Sequence, residues 1–139
     1  MKTVAYSNAR GGISTAVPTA DITIEQLAHQ IAADGHECVV LDIENSEIMH
    51  RFYDALELKD HQIVLNIDKA KEIKRDQFRA LRTPKLQQLD IDYMIAVENE
   101  DTKQKKHIKD RRQQLRDITI CSLPDDMNDL LHFIPLALL

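Results

Sequence analysis

An α+β fold follows from three features of the 139-residue sequence. Short β-branched and apolar runs fill much of the first half. One amphipathic helical pattern lies among them. Beyond Asn66-Ile67-Asp68 there is no glycine, and residues 67–118 are dominated by Lys, Arg, Gln, Leu, Ala and Glu, the good helix formers. The expected architecture is a small N-terminal antiparallel or mixed sheet with one covering helix over residues 1–66. A C-terminal helical hairpin and a short last helix follow over residues 67–139, which end in an apolar tail. A chain of this length is read as one folding unit.

In the first half, Lys2 to Ser7 carries Val4 and Tyr6, and Ile13 to Val17 is a second β-favouring run. Asn8-Ala9-Arg10-Gly11-Gly12 joins them as a hairpin, with glycine supplying positive φ and Pro18 ending the second strand. Ile24, Leu27, Ala28, Ile31 and Ala32 recur at helical spacing and stop at Gly35. The spacing predicts a helix over 23–34, capped by Asp21 or Thr23. Cys38 to Ile43 is short, β-branched and apolar, the pattern of a strand that is central in its sheet or covered on both faces. Phe52 to Leu58 and His61 to Leu65 read as two further strands joined across Lys59-Asp60. The 52–58 stretch equally fits the continuation of a helix begun at Ser46.

In the second half, Ile67, Ala70, Ile73, Phe78 and Leu81 mark one helix face. Thr83-Pro84 fits an N-cap followed by proline in the first turn, so a new or kinked helix is expected there, with Leu86, Leu89, Tyr93, Met94 and Val97 inward. Glu98 to Asp101 reads as a turn. Ile108, Leu115 and Ile118 give residues 102–117 a narrow buried stripe, the second arm of the hairpin. Ser122-Leu123-Pro124-Asp125 fits a capping box for a last helix over 123–132.

Composition and motifs exclude more than they select. Cys38 and Cys121 lie far apart with no CxxC or Cys/His cluster, which argues against a zinc site and a disulfide framework. The N-terminus lacks the apolar stretch of a signal peptide, and no run approaches the roughly 18 apolar residues of a membrane span. Gly11-Gly12 is neither GxGxxG nor followed by GK[ST]. The six histidines show no HxxxH or HxH pairing. Asp90 and Asp92, two apart on a helix, point about 200° away from each other and cannot share a reacting atom. Ser7, Ser14, Ser46 and Ser122 sit in no GxSxG context. The expectation is no catalytic residue, no metal and no cofactor: a protein that is not an enzyme.

Two features point to binding. Net charge is −5 overall, but residues 1–68 carry −7, residues 69–117 carry +5 and residues 118–139 carry −3. The positive block concentrates at 102–117, with 7 basic and 2 acidic groups. Lys103, Lys105, Lys106, Arg111 and Arg112 would form an electrostatic docking face. A solvated helix face, or a surface meeting the acidic parts of a partner, is preferred over nucleic acid, because the chain is acidic overall and carries no recognisable DNA-binding motif. The closing stretch, with Phe133, Leu136, Leu138 and Leu139, either folds back on the domain or docks on a neighbour as an apolar anchor.

From Asp68-Lys69-Ala70-Lys71-Glu72-Ile73 through Arg75-Asp76-Gln77-Phe78-Arg79-Ala80-Leu81-Arg82-Thr83-Pro84-Lys85-Leu86, Leu89-Asp90-Ile91-Asp92-Tyr93-Met94 and Gln113-Gln114-Leu115-Arg116-Asp117-Ile118-Thr119, the order of features resembles small proteins of the structural or tail gene region of tailed phages and prophages. Phe52 to Leu58 is similar to the aromatic-rich strand that precedes the helices in that group. The resemblance covers residues 52–119 and departs at Cys121 to Leu139, which is more apolar. It implies a virion context, with synthesis in the host cytoplasm: a structural component of a tail, baseplate or connector that packs in several copies against other phage proteins. The alternatives are a tail fibre assembly chaperone absent from the mature particle and a small nucleic-acid-binding regulator using the 102–117 helix.

Overall fold

The computed structural model describes residues 2–42 and 47–139. They fall into two compact units, Met1–Ala70 and Lys71–Leu139, so the boundary lies a few residues beyond the composition change at residue 66. The fold is α+β, with small antiparallel sheets first and helices after them.

In the first unit, β1 (Lys2–Ser7) pairs antiparallel with β2 (Ile13–Ala16) on one side and β3 (Cys38–Asp42) on the other. The expected first hairpin forms, and Asn8 organises its loop. Its side-chain oxygen accepts from the N–H groups of Arg10 (3.0 Å) and Gly12 (3.1 Å), while Gly11 takes φ 79°, where a Cβ is disfavoured. α1 (Ile24–Ala33) is capped by Thr23 rather than Asp21. The Thr23 hydroxyl accepts from the Gln26 N–H (3.2 Å), and the Gln26 side chain accepts from the Thr23 N–H (2.8 Å).

The β-branched run expected at the centre of a sheet lies at an edge. The order is β2-β1-β3, and Val40 of β3 is well exposed, whereas Val4 and Ala5 of β1, on opposite faces, are both fully buried. A β-branched run fits any pleated, half-buried surface and does not encode sheet order. Ile43 and Ser46 lie outside the described residues.

Between Glu47 and Leu65 the two sequence readings share the segment. α2 (Glu47–Arg51) and a 3₁₀ turn (Tyr53–Ala55) precede β4 (Leu56–Lys59) and β5 (Gln62–Leu65), so the expected strand at Phe52 starts four residues later. The turn is Asp60-His61 rather than Lys59-Asp60. Both turn residues are left-handed, at φ 51° and 60°, as a two-residue hairpin loop matched to strand twist requires. Ala5, Ile13 and Leu56 anchor a core to which Val39, Leu41, Tyr53 and Ile63 add.

Asn66 begins α3 (Ile67–Glu98), its side-chain oxygen accepting from the N–H groups of Asp68 (3.1 Å) and Lys69 (3.2 Å). Its amide nitrogen and the Lys69 ammonium both donate to Glu57 at 3.0 Å. These two donors, Asn66 before Lys69, hold the Glu57 carboxyl down from its ordinary 4.5 to about 2.

α3 is unbroken across Pro84, which excludes the new helix, one of the two expectations there. Thr83 caps nothing: its hydroxyl donates to the Arg79 carbonyl at 2.8 Å, inside the helix. A helix-interior proline costs about 3 kcal/mol through its missing N–H and its clash with the preceding turn. Here Ala80 and Pro84 are both exposed, so the carbonyl left without a backbone donor faces water. α4 (Thr102–Asp117) runs antiparallel to α3 and holds it on both sides of the proline. Arg82 donates to the carbonyls of Leu115 (3.4 Å) and Arg116 (3.0 Å), and Asp90 pairs with Arg112 at 3.3 Å.

An unbroken helix has one phase. Phe78 and Ala96 are buried, with Leu86, Leu89 and Tyr93 half-buried. Leu81, Met94 and Val97, expected inward, are 54%, 66% and 48% exposed. A pattern restarted at Pro84 places Met94 and Val97 inside, whereas the phase carried through from Phe78 turns them out. The hairpin turn falls where expected. Glu100, at φ 55°, donates to the Val97 carbonyl and Asp101 to that of Ala96, and the Asp101 side chain then caps α4.

α5 (Met127–His132) is capped by Asp126, not Ser122. A cap at Ser122 would place Leu123 in the helix directly before Pro124, a position where proline disfavours helical backbone. The chain end folds back. A 3₁₀ turn (Leu136–Leu138) packs on α4, Leu138 is buried, and the Phe133 ring lies 6.1 Å from that of Phe78. Lys74 completes this core, its ammonium donating to the Leu131 carbonyl at 2.9 Å.

Replacing Pro84 with Ala restores the missing donor on an exposed face. It is expected to stabilise the helical unit by about 1–3 kcal/mol in urea unfolding; a loss of stability would show that the ring makes contacts the helix needs. Glu57 supplies a pH test. Its folded pKa is depressed, so its contribution is complete above the unfolded value of 4.5 and is lost as pH falls towards 2. Stability of Glu57→Gln should therefore fall less steeply than that of the parent across that window, and parallel curves would rule the linkage out.

Candidate functional site

α4 sorts its cations by helical phase. Lys105, Lys109, Arg112 and Arg116, at i, i+4, i+7 and i+11, line one side, with Lys106 beside them. Of the residues expected to form a docking face, Lys105, Lys106 and Arg112 share this stripe. Lys103, two residues from Lys105, points about 200° away from it, and Arg111 lines a different groove. Density of charge, the signal used in the sequence reading, passes over Lys109 and Arg116; periodicity applied to charge would have found them.

The stripe forms one wall of a groove between α4 and α3. Two adjoining depressions of about 390 and 260 Å³ share Tyr93 and Lys109. Arg112, Gln113 and Arg116 complete the first, and Thr102, Lys105 and Lys106 the second. Tyr93 reaches this floor because the phase of Phe78, carried through Pro84, sets it at the edge of the buried side. The Arg112 guanidinium lies 4.6 Å from the centre of the Tyr93 ring and pairs with Asp90 at 3.3 Å, while its Nε is enclosed with no hydrogen-bond partner. The ring face and the carboxylate together offset the cost of that partly buried charge.

The apolar tail divides. Leu138 belongs to the core of the helical unit and the half-buried Phe133 ring lies against Phe78, whereas Leu136 and Leu139 are 83% and 75% exposed. Ile134 and Ile120 are exposed too. A groove of about 520 Å³ runs beside Leu136, lined by Arg111, Gln114, Ile118, Cys121 and Pro135. Phe133 and Leu138 hold to the helical unit the segment that presents the exposed leucines.

Asp90 and Asp92 have separate partners, Arg112 for the first and the Gln88 amide (3.0 Å) for the second. Among the described residues, no group of three or more His, Cys, Asp or Glu side chains is placed to hold a metal ion. No helix among them is long and apolar enough to cross a membrane. Comparison of the chain with protein-family models, curated proteins and solved structures gives no match.

A double-mutant cycle of Tyr93→Leu and Arg112→Leu, read by urea unfolding, should give a coupling energy of about 1 kcal/mol. A value of zero would mean that ring and guanidinium are merely neighbours.

Proposed function

We propose that this chain is a non-enzymatic protein-binding component of a phage particle, a part of the tail, baseplate or connector present in several copies. The observation that carries the reading is the chain end. Leu136 and Leu139 stand out from a turn that Phe133 and Leu138 fix to the helical unit. Exposed leucines on a segment held in this way lose little conformational freedom on docking and bury apolar area when a partner covers them. The order of features over residues 52–119 supports the phage context, and the basic stripe of α4 adds a second surface suited to protein contacts. The chain is then made in the host cytoplasm and carried into the virion. An assembly chaperone would use the same surfaces transiently.

Quantitative mass spectrometry of gradient-purified particles should find this protein at a fixed copy number relative to the major tail protein. Absence from particles combined with presence in the infected lysate would instead make it a chaperone or regulator. Truncation after Pro135 removes Leu138 and would disturb the core, so the surface is tested by Leu136→Ser with Leu139→Ser. These changes should leave the melting temperature within a few degrees and reduce incorporation into particles about tenfold, the loss of about 1.4 kcal/mol of docking energy.

A further inference from the structure

We propose that the groove between α3 and α4 binds an acidic amphipathic helix of a partner protein, its carboxylates on Lys105, Lys109 and Arg116 and its apolar side chains on Tyr93 and Val97. This rests on the protein-binding reading above and names a partner chemistry for it.

The two walls of the groove differ in kind. On α4, Lys105, Lys109, Arg112 and Arg116 follow one another turn by turn over about 17 Å of helix. On α3, Tyr93 lies on the floor of both depressions, and Val97, one turn further along and lining neither, is about half exposed beside them. A third helix laid along such a channel meets cations on one side and apolar surface on the other, the pattern of helix-in-groove recognition. Its carboxylates, spaced i, i+4 and i+11, would match Lys105, Lys109 and Arg116 along α4.

Charge balance sets the sign of the occupant. α4 carries 7 basic and 2 acidic residues within a chain of net charge −5. Asp90 already occupies Arg112 at 3.3 Å, which shows a carboxylate bound at this wall and leaves Lys105, Lys109 and Arg116 as the positions for an incoming one.

The same geometry disfavours single-stranded nucleic acid. Binding of that kind stacks successive bases on several aromatic faces, but the groove offers one ring, Tyr93, with the Arg112 guanidinium 4.6 Å from its centre. Gln113 is the one neutral amide lining the groove. An acidic helix needs neither a row of rings nor a base-reading group.

The test is fluorescence anisotropy of the purified full-length chain with three labelled probes at moderate salt. One is a helical peptide of four turns with leucines on one side and glutamates at the three positions that match Lys105, Lys109 and Arg116. The second replaces those glutamates with glutamine, and the third is an oligothymidylate of similar length. The glutamate peptide should bind at least about tenfold more tightly than its glutamine counterpart. Lys109→Glu with Arg116→Glu, both on exposed positions, should remove that difference while leaving the circular dichroism spectrum unchanged. The double variant should in turn prefer a lysine version of the peptide.

Equal binding of the glutamate and glutamine peptides, or no binding of either, would overturn the proposal. Tighter binding of the oligothymidylate would assign the groove to nucleic acid instead. Because these readouts use the purified chain, they decide the groove even if the protein proves absent from particles. Conversely, a particle component whose groove ignores the glutamate peptide keeps its structural role through the leucine surface.

Discussion

The pairing of α3 with α4 across Pro84 is the constraint on which the helical unit depends. A long helix with a proline near its middle is a poor independent structure, because the ring removes one hydrogen bond and crowds the preceding turn. Arg82, bound to two carbonyls at the end of α4, and Asp90, bound to Arg112, fasten the helix to one partner on both sides of that weak point. Arg82 also supplies donors to carbonyls that the last turn of α4 leaves without intrahelical partners. One set of contacts therefore splints α3 and terminates α4.

Continuity of α3 in turn decides which surfaces the unit presents. The phase fixed by Phe78 carries through the proline and brings Tyr93 to the floor of the groove, while Met94 and Val97 turn outward. A break at Pro84 would rotate these residues relative to α4 and change which of them face it. The groove thus follows from the splint. At the chain end a comparable division operates over a shorter distance, with Leu138 and the half-buried Phe133 ring packed on the helical unit and Leu136 and Leu139 left to a partner.

In the N-terminal unit the organising groups are polar and local. Asn8 closes one loop, Thr23 and Gln26 start α1, and Asn66 starts α3 while donating to Glu57. Each supplies hydrogen-bond partners that the backbone or a carboxylate would otherwise seek from water. The depressed Glu57 carboxyl is one consequence, tying β4 to the first turn of α3 through a charge that must remain ionised.

Local chemistry was legible in the residues themselves. The fold class, the first hairpin, α1, the turn at Glu98 to Asp101 and the span of α4 all follow from caps, glycines and periodicity, which act within a few residues, while the choice of Thr23 over Asp21 as the cap of α1 came from the structure. The place of β3 at an edge, the passage of α3 through Pro84 and the start of α5 at Asp126 were not legible in the same way. Sheet order depends on which strands find each other, and a proline ends a helix unless distant groups hold both halves, as Arg82 and Asp90 do here. The candidate site divides along the same line. Sequence alone determined that the 102–117 stretch is basic and the chain end apolar. The phase that groups Lys109 and Arg116 with Lys105 and Arg112 was also there to be read, but tertiary structure decided that Tyr93 lies opposite them, and that Leu138 is core while Leu136 is surface, because membership of a groove is set by what packs opposite.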